Sequence, residues 1–270
     1  MRQLIISVFS VVFFLAEAVA EPPPNPPSSF SAAKKIARNI IYANPEQRVT
    51  IYCGCRFKSA SSASGGIILK IGTNECKYRP RKNEARGRRL EWEHIVPASS
   101  LGDDLSCWKG GDDACVTKKG KTFKGRKCCA KVSEEFKMME ADLHNLTPAV
   151  GEVNGDRSNH PHGNIANRDD VDFTYGKCPF VISKSFRDED NGLTRIAEQS
   201  PEQGRDVRGD IARIWFYMND AYELNIPTEI WNQLVDWSQD DPVDDAELAR
   251  DQRIFEAQGN HNPFVFGEDP

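Results

Sequence analysis

Arg88-Arg89-Leu90-Glu91-Trp92-Glu93-His94-Ile95-Val96-Pro97-Ala98 and Met139-Glu140-Ala141-Asp142-Leu143-His144-Asn145-Leu146-Thr147-Pro148, the latter running on through Gly151, Glu152, Asn154, Gly155, Asp156 and Arg157 to Asn159, are the stretches on which the fold and the chemistry turn. The first reads as a strand. Neighbours in a regular strand point to opposite faces, so the adjacent Glu93 and His94 imply a strand that twists or ends there, as Pro97 nearby encourages. In the second, Thr147-Pro148 reads as an N-cap with proline at the first helical position, which puts Asn154 about two turns into a helix facing that strand. So many Asp, Glu, Asn and His side chains are costly in a plain core and suit a hard, oxygen-ligated cation such as magnesium.

Outward from these stretches the chain has a clear plan. Leu4 to Leu15 is a twelve-residue apolar run behind Arg2, with Ala18-Val19-Ala20 at the positions a signal peptidase reads; residues 1–20 are therefore expected to be a secretory signal cleaved after Ala20. The run is too short to span a membrane as a helix. Residues 21–29 carry five prolines, which exclude helix or central strand and read as a tether. Residues 30–270 then read as a single α+β domain. Helical spacing runs from Ser31 to Tyr42, strand alternation from Arg48 to Cys53, and an apolar face (Val207, Ile211, Ile214, Trp215, Met218, Tyr222) marks a long helix. A further helix follows Thr228. Asp244 and Glu247 open a last one as a capping-box-like pair, and Gly259 closes it.

Eight cysteines (Cys53, Cys55, Cys76, Cys107, Cys115, Cys128, Cys129, Cys178) in an exported chain read as four disulfides of open connectivity, since their spacing lacks that of zinc knuckles. The net charge of −5 gives no global reason to bind a polyanion, but the charge is segregated. Lys70–Arg89 and Lys109–Lys131 each hold eight basic residues against two acidic ones, a net of +6. Asp236–Glu256 holds eight acidic against two basic, a net of −6. The two basic blocks flank the Glu93-His94 segment.

Glu91–Ala98 and Glu140–Asn159 resemble the two signature blocks of bacterial endonuclease I, the secreted or periplasmic nonspecific nucleases of the ββα-metal (His-Me finger) superfamily. Arg213–Met218 and Gly259–Phe264 are similar to the family's later helix and C-terminal segment, so the resemblance covers nearly all of the mature chain. It implies a strand, strand and helix site inside a mostly helical α+β shell, with His94 as general base and Glu93 and Asn154 holding one Mg²⁺ per site. It further implies DNA and RNA as substrates, bound through their backbone without regard to sequence, 5′-phosphate products, and a chain that acts as a monomer. Glu140, Asp142 and Asn145 are candidates to orient His94 or the metal's waters. His144, His160, His162 and His261 read as structural. One departure stands out. The family's phosphate-contacting arginine follows the Gly-Gly pair after Cys-Trp, but Cys107-Trp108-Lys109-Gly110-Gly111 is followed here by Asp112 and a long basic stretch, so Lys109, Arg126 or Arg157 is expected to take that role. A competing reading is a catalytically dead nucleic-acid-binding protein on the same scaffold. A zinc hydrolase is disfavoured by the lack of a His-Glu-x-x-His motif.

Overall fold

The computed structural model describes residues 20–60, 65–165, 168–188, 192–199 and 206–267. The signal peptide up to Val19 lies outside them. In chain order the elements are α1 (Phe30–Ile36), β1 (Phe57–Ser59), β2 (Gly66–Ile68), α2 (Glu84–Gly87), β3 (Arg89–His94), α3 (Ala98–Gly102), α4 (Ser106–Lys109), α5 (Arg126–Val132), α6 (Glu134–Ala141), β4 (Leu146–Val150), α7 (Gly151–Arg157), β5 (Val171–Phe173), β6 (Phe180–Asp188), β7 (Gly192–Gln199), α8 (Arg208–Tyr222), α9 (Thr228–Asp240) and α10 (Asp245–Gln258). They form the expected α+β architecture. β1-β2-β3-β4 make an antiparallel sheet and β5-β6-β7 a second one, with the helices around them.

The sheet that positions the site pairs β3 with β4, Glu93 lying opposite Thr147 and His94 opposite Leu146. Between these strands the chain makes a long helical excursion through α3 to α6; β4 then passes directly into α7. The result is a strand–strand–helix unit assembled from distant stretches. Strand β3 ends at His94, as the adjacency of the two candidate site residues Glu93 and His94 implied. What stops it is side-chain capture of its backbone: Asn145 accepts from Val96 N–H (2.8 Å) and donates to Val96 O (3.0 Å).

The C-terminal helices follow their sequence signals closely. α8 buries Ile211, Ile214, Trp215 and Met218, and α9 buries Ile230, Leu234 and Trp237 at helical spacing. Asp244 caps α10 by accepting from Glu247 N–H, and Gly259 ends it in the left-handed region (φ 93°) that glycine adopts without a Cβ penalty. A buried Arg213–Glu247 ion pair ties α8 to α10.

Two local readings are corrected. Arg48–Cys53 is not a strand, and its one ladder contact among the described residues is the bridge between Val49 and Arg56. The chain turns back at Gly54 (φ 61°), whose N–H donates to Thr50 O, so that Cys53 and Cys55 reach separate partners. Thr147-Pro148 is not a helix start but part of β4, an edge strand, where proline's missing N–H does no harm; the helix begins at Gly151. The Pro-rich segment has no helix or strand, yet it is docked rather than free. Pro23 and Pro27 are buried, and Asn25 N–H donates to Gln258 O (3.0 Å).

All eight cysteines pair, as Cys53–Cys178, Cys55–Cys76, Cys107–Cys129 and Cys115–Cys128. The last two close the basic excursion after α4. Gly125 N–H donates back to Cys107 O and Trp108 O, so the chain leaves at Gly110 and returns beside its point of departure.

Candidate active site

A cavity of about 330 Å³ opens where β3 meets α7, bordered by Phe30, Lys34, Arg86, Glu91, Glu93, His94, Arg126, Asn154 and Ser158 among others. It brings together side chains from α1, α2, β3, α5 and α7.

His94 is buried at the inner end of β3. Its Nε2 lies 2.8 Å from the carbonyl oxygen of Glu140, and a carbonyl only accepts, so Nε2 carries the proton and Nδ1 is the basic nitrogen. Burial, then the Arg126 charge, push the imidazole down to about 3, so it is neutral at physiological pH. Phe30 packs on the ring at 4.7 Å between centroids, and both Lys34 and Arg126 sit over the Phe30 face.

Glu93 is nearly fully buried. Its Oε1 accepts from the Tyr52 hydroxyl (2.8 Å) and from Arg157 Nη1 (3.2 Å), whereas Oε2 has no hydrogen-bond partner among the described residues. Burial raises this carboxyl while Arg157 and Tyr52 oppose the rise. Tyr52 in turn lies 3.0 Å from His162 Nε2, and Trp215 Nε1–H donates to His162 Nδ1 (3.1 Å), which puts the His162 proton on Nε2, facing Tyr52. A chain from α8 thus holds one oxygen of Glu93 and leaves the other to the cavity. Asn154 is held likewise: its Nδ2 reaches Glu91 Oε2 (3.5 Å), and Oδ1 has no hydrogen-bond partner among the described residues. Glu91 is itself clamped by Arg86, at 2.9 and 2.7 Å. Arg86 lies so close over α7 that a Cβ at position 155 would fall 1.9 Å from its guanidinium, which accounts for glycine after Asn154.

The structure sorts the remaining sequence candidates. Arg126, 42% exposed in its side chain, stands in the cavity wall and pairs with Glu140. Arg157 does not reach the cavity. Its side chain is 0% exposed, and it donates to Glu93 and to the carbonyls of His94 and Ile95, bracing the strand end; Asp156 pairs with Arg81 instead. Lys109 is exposed, pairs with Asp104 and lies outside the cavity. Glu140 supports His94 through its main chain, and Asn145 fixes the turn after β3. Asp142 is elsewhere, both oxygens taken by Tyr217, Tyr222, Gln258 and the His144 N–H. None of His144, His160, His162 and His261 lines the cavity. Tyr52, His162, Lys34, Arg86 and Glu91 were not marked as site residues in the sequence. Only Glu91, inside the first signature block, and Arg86, inside the first basic block, carried a local signal.

The chain leaves at Gly110 and returns at Gly125, whose N–H donates to Cys107 O and Trp108 O, so Arg126 follows a glycine that lies beside Cys107-Trp108 although it is distant from that pair in sequence.

A measurable consequence concerns His94 and His162, both held below the ordinary histidine value of 6.5, His162 by burial first and Arg157 second. Their imidazole resonances are expected to keep the neutral position from pH 8 to about 5; a midpoint above about 6 for either would refute this geometry. Because their folded values lie below the unfolded one, the stability they contribute is complete above about 6.5 and is lost as pH falls toward the folded values.

A neutral imidazole, two unpartnered oxygens and a cationic rim in one cavity are the equipment of a hydrolase for anionic esters. The comparisons narrow this. The endonuclease I family matches residues 29–268. An extracellular deoxyribonuclease of Aeromonas hydrophila is 36% identical over 88% of this chain and 87% of its own length, and a periplasmic deoxyribonuclease of the same species 36% over 88% and 85%. Endonuclease-1 of Buchnera aphidicola subsp. Baizongia pistaciae is 35% identical over 89% and 84%. The chain belongs to the endonuclease I family. It is accordingly a nuclease, exported to the periplasm or the medium. Among the described residues no helix is long and apolar enough to cross a membrane.

Proposed function

We propose that the protein is a Mg²⁺-dependent endonuclease that hydrolyses phosphodiester bonds of DNA and RNA without regard to sequence, leaves 5′-phosphates and acts as a monomer. β3, β4 and α7 are read as its ββα-metal unit. The observation that carries this is the convergence in one cavity of a neutral His94 with a basic Nδ1 and two partner-free oxygens, Glu93 Oε2 and Asn154 Oδ1.

The two oxygens fit a hard cation that keeps most of its shell for water and substrate, and Glu93 and Asn154 would hold it. Bound there, the ion would supply charge neutralisation on the departing 3′-oxygen. The chain's own residues do the rest. Glu140 O orients the ring so that Nδ1 accepts the proton of the attacking water. A phosphate seated between Lys34 and Arg126 offsets the positive charge that depresses His94, so the base strengthens as substrate arrives. Arg126, freer than any other arginine of the cavity, is placed to meet the phosphate. All these groups come from one chain.

Plasmid nicking with and without chelator tests the proposal, and a chain that binds DNA without cutting it would establish the dead-scaffold reading. In Glu93→Gln and Asn154→Ala the Mg²⁺ concentration for half-maximal rate is expected to rise by about tenfold or more. Unchanged titrations in both would remove them as ligands.

A further inference from the structure

The two basic blocks are equal in sequence, and the structure makes them unequal. In the first, Lys70 pairs with Glu75, Arg81 with Asp156, Arg86 with Glu91, Arg88 with Glu84, and Arg89 with Glu91. Five of that block's eight cations are thus paired within the fold, and Lys77, Arg79 and Lys82 have no carboxylate partner among the described residues. The second block is paired less. Between Ala114 and Lys131 there are seven basic residues and no acidic one. Of these only Arg126 has a carboxylate partner among the described residues. Lys124 and Lys131 donate to main-chain oxygens of Lys109 and Ala114, while Lys118, Lys119, Lys121 and Lys127 are exposed and have neither kind of partner among the described residues.

Lys118, Lys119 and Lys121 crown a small hairpin. Val116 bridges Thr122, Phe123 N–H donates to Cys115 O (2.9 Å), and Thr117 N–H to Lys121 O (2.9 Å), with the turn completed by Gly120 at φ 78°. The hairpin is not a loose arm. The Cys115–Cys128 disulfide holds its base 5.4 Å, between Cα atoms, from the helix that begins with Arg126. Four residues of extended chain, that step and half a helical turn place Lys119 within about 25 Å of Arg126, less than one turn of duplex. A disulfide-anchored cluster of unpaired cations, set at a fixed offset from the cavity on a protein of net charge −5, needs a polyanion to complete it.

We propose that the Cys115–Phe123 hairpin is a second binding site for nucleic-acid backbone, gripping phosphates of the same molecule several nucleotides from the bond being cut. This rests on the nuclease reading for the identity of the polyanion and adds a contact remote from the chemistry. Such a contact raises affinity and residence on long substrates and leaves the chemical step unchanged.

The test measures affinity for a roughly 30-base-pair duplex in calcium as a function of salt, for the protein and for Lys118→Gln/Lys119→Gln/Lys121→Gln. Each phosphate contact contributes about 0.9 to the slope of log affinity against log salt, so a loss of about 2 to 3 is expected in the triple variant, with the rate at saturating DNA unchanged. Lys70→Gln, a paired cation, should leave the slope as it is. In the unmutated protein, bound duplex should shield Lys118, Lys119 and Lys121 from an amine-acylating reagent. An unaltered slope, or equal labelling with and without DNA, overturns the proposal. If the hairpin effects appear and the unmutated protein cuts nothing, the hairpin stands and the nuclease reading falls. Normal cutting with an unaltered slope means the reverse: the nuclease reading stands and the hairpin site falls.

Discussion

In His94→Ala, turnover on DNA is expected to fall by on the order of 10²-fold or more, with affinity in calcium and the melting profile close to those of the unmutated protein. Among the described residues the ring makes one hydrogen bond to a main-chain carbonyl and one tilted ring contact with Phe30, so its removal costs little packing. What disappears is Nδ1, the basic nitrogen of the cavity. Imidazole added to the medium should restore part of the rate, because the space left is bordered by Phe30 and open to the cavity. Nicking at the original rate would remove His94 from the mechanism.

Arg126→Ala is expected to be nearly as costly, about 10²-fold in rate at saturating substrate and severalfold at most in affinity, as for a donor whose contact strengthens when charge moves on the phosphate. Arg126→Lys should recover only part, since a point charge does not reproduce the guanidinium fork. The neighbouring variants sharpen the assignment. Lys109→Ala should behave normally, its partner being the exposed Asp104. Arg157→Ala should fail differently, by roughly 3 kcal/mol or more of stability, because it leaves Glu93 buried without its countercharge and the carbonyls of His94 and Ile95 without a donor. Asp112→Arg should bring no gain, on the proposal that Arg126 fills that role. If Arg126→Ala loses affinity and rate in equal measure, it is an ordinary phosphate contact.

Much of this was legible beforehand for a physical reason: local signals decided where local energies dominate. The Asp244–Glu247 cap and Gly259 fixed α10 to the residue, and the apolar spacing of Ile211 to Met218 fixed α8. The adjacency of Glu93 and His94 forecast the end of β3. Signals failed where a distant partner overruled them. Arg48–Cys53 alternates like a strand, but two disulfides and Gly54 turn the chain back, leaving it only the Val49–Arg56 bridge among the described residues. Thr147-Pro148 has the composition of a helix start, yet β3 recruits it as an edge. Arg157 looked like a candidate phosphate contact and is wholly internal, and Asp142 belongs to the tyrosines of α8. Tyr52 and His162 carried no warning, because their importance comes only from touching Glu93. Two blocks of equal charge could not be told apart until their carboxylate partners were located.

The pairing of Cys53 with Cys178, 125 residues away, sets a timetable for biogenesis. Cys55 waits only 21 residues for Cys76. At synthesis rates of about 5–20 residues per second, Cys76 follows within about one to four seconds and Cys178 within about six to twenty-five. During that interval an oxidant that joins thiols in order of emergence meets Cys53, Cys55 and Cys76 together, and Cys107, Cys115, Cys128 and Cys129 soon after. A strictly sequential machine therefore produces wrong pairs, and Tyr52, which steadies Glu93, sits next to the cysteine most exposed to the error. Recovery of active protein should depend on a disulfide isomerase far more than on the supply of oxidant.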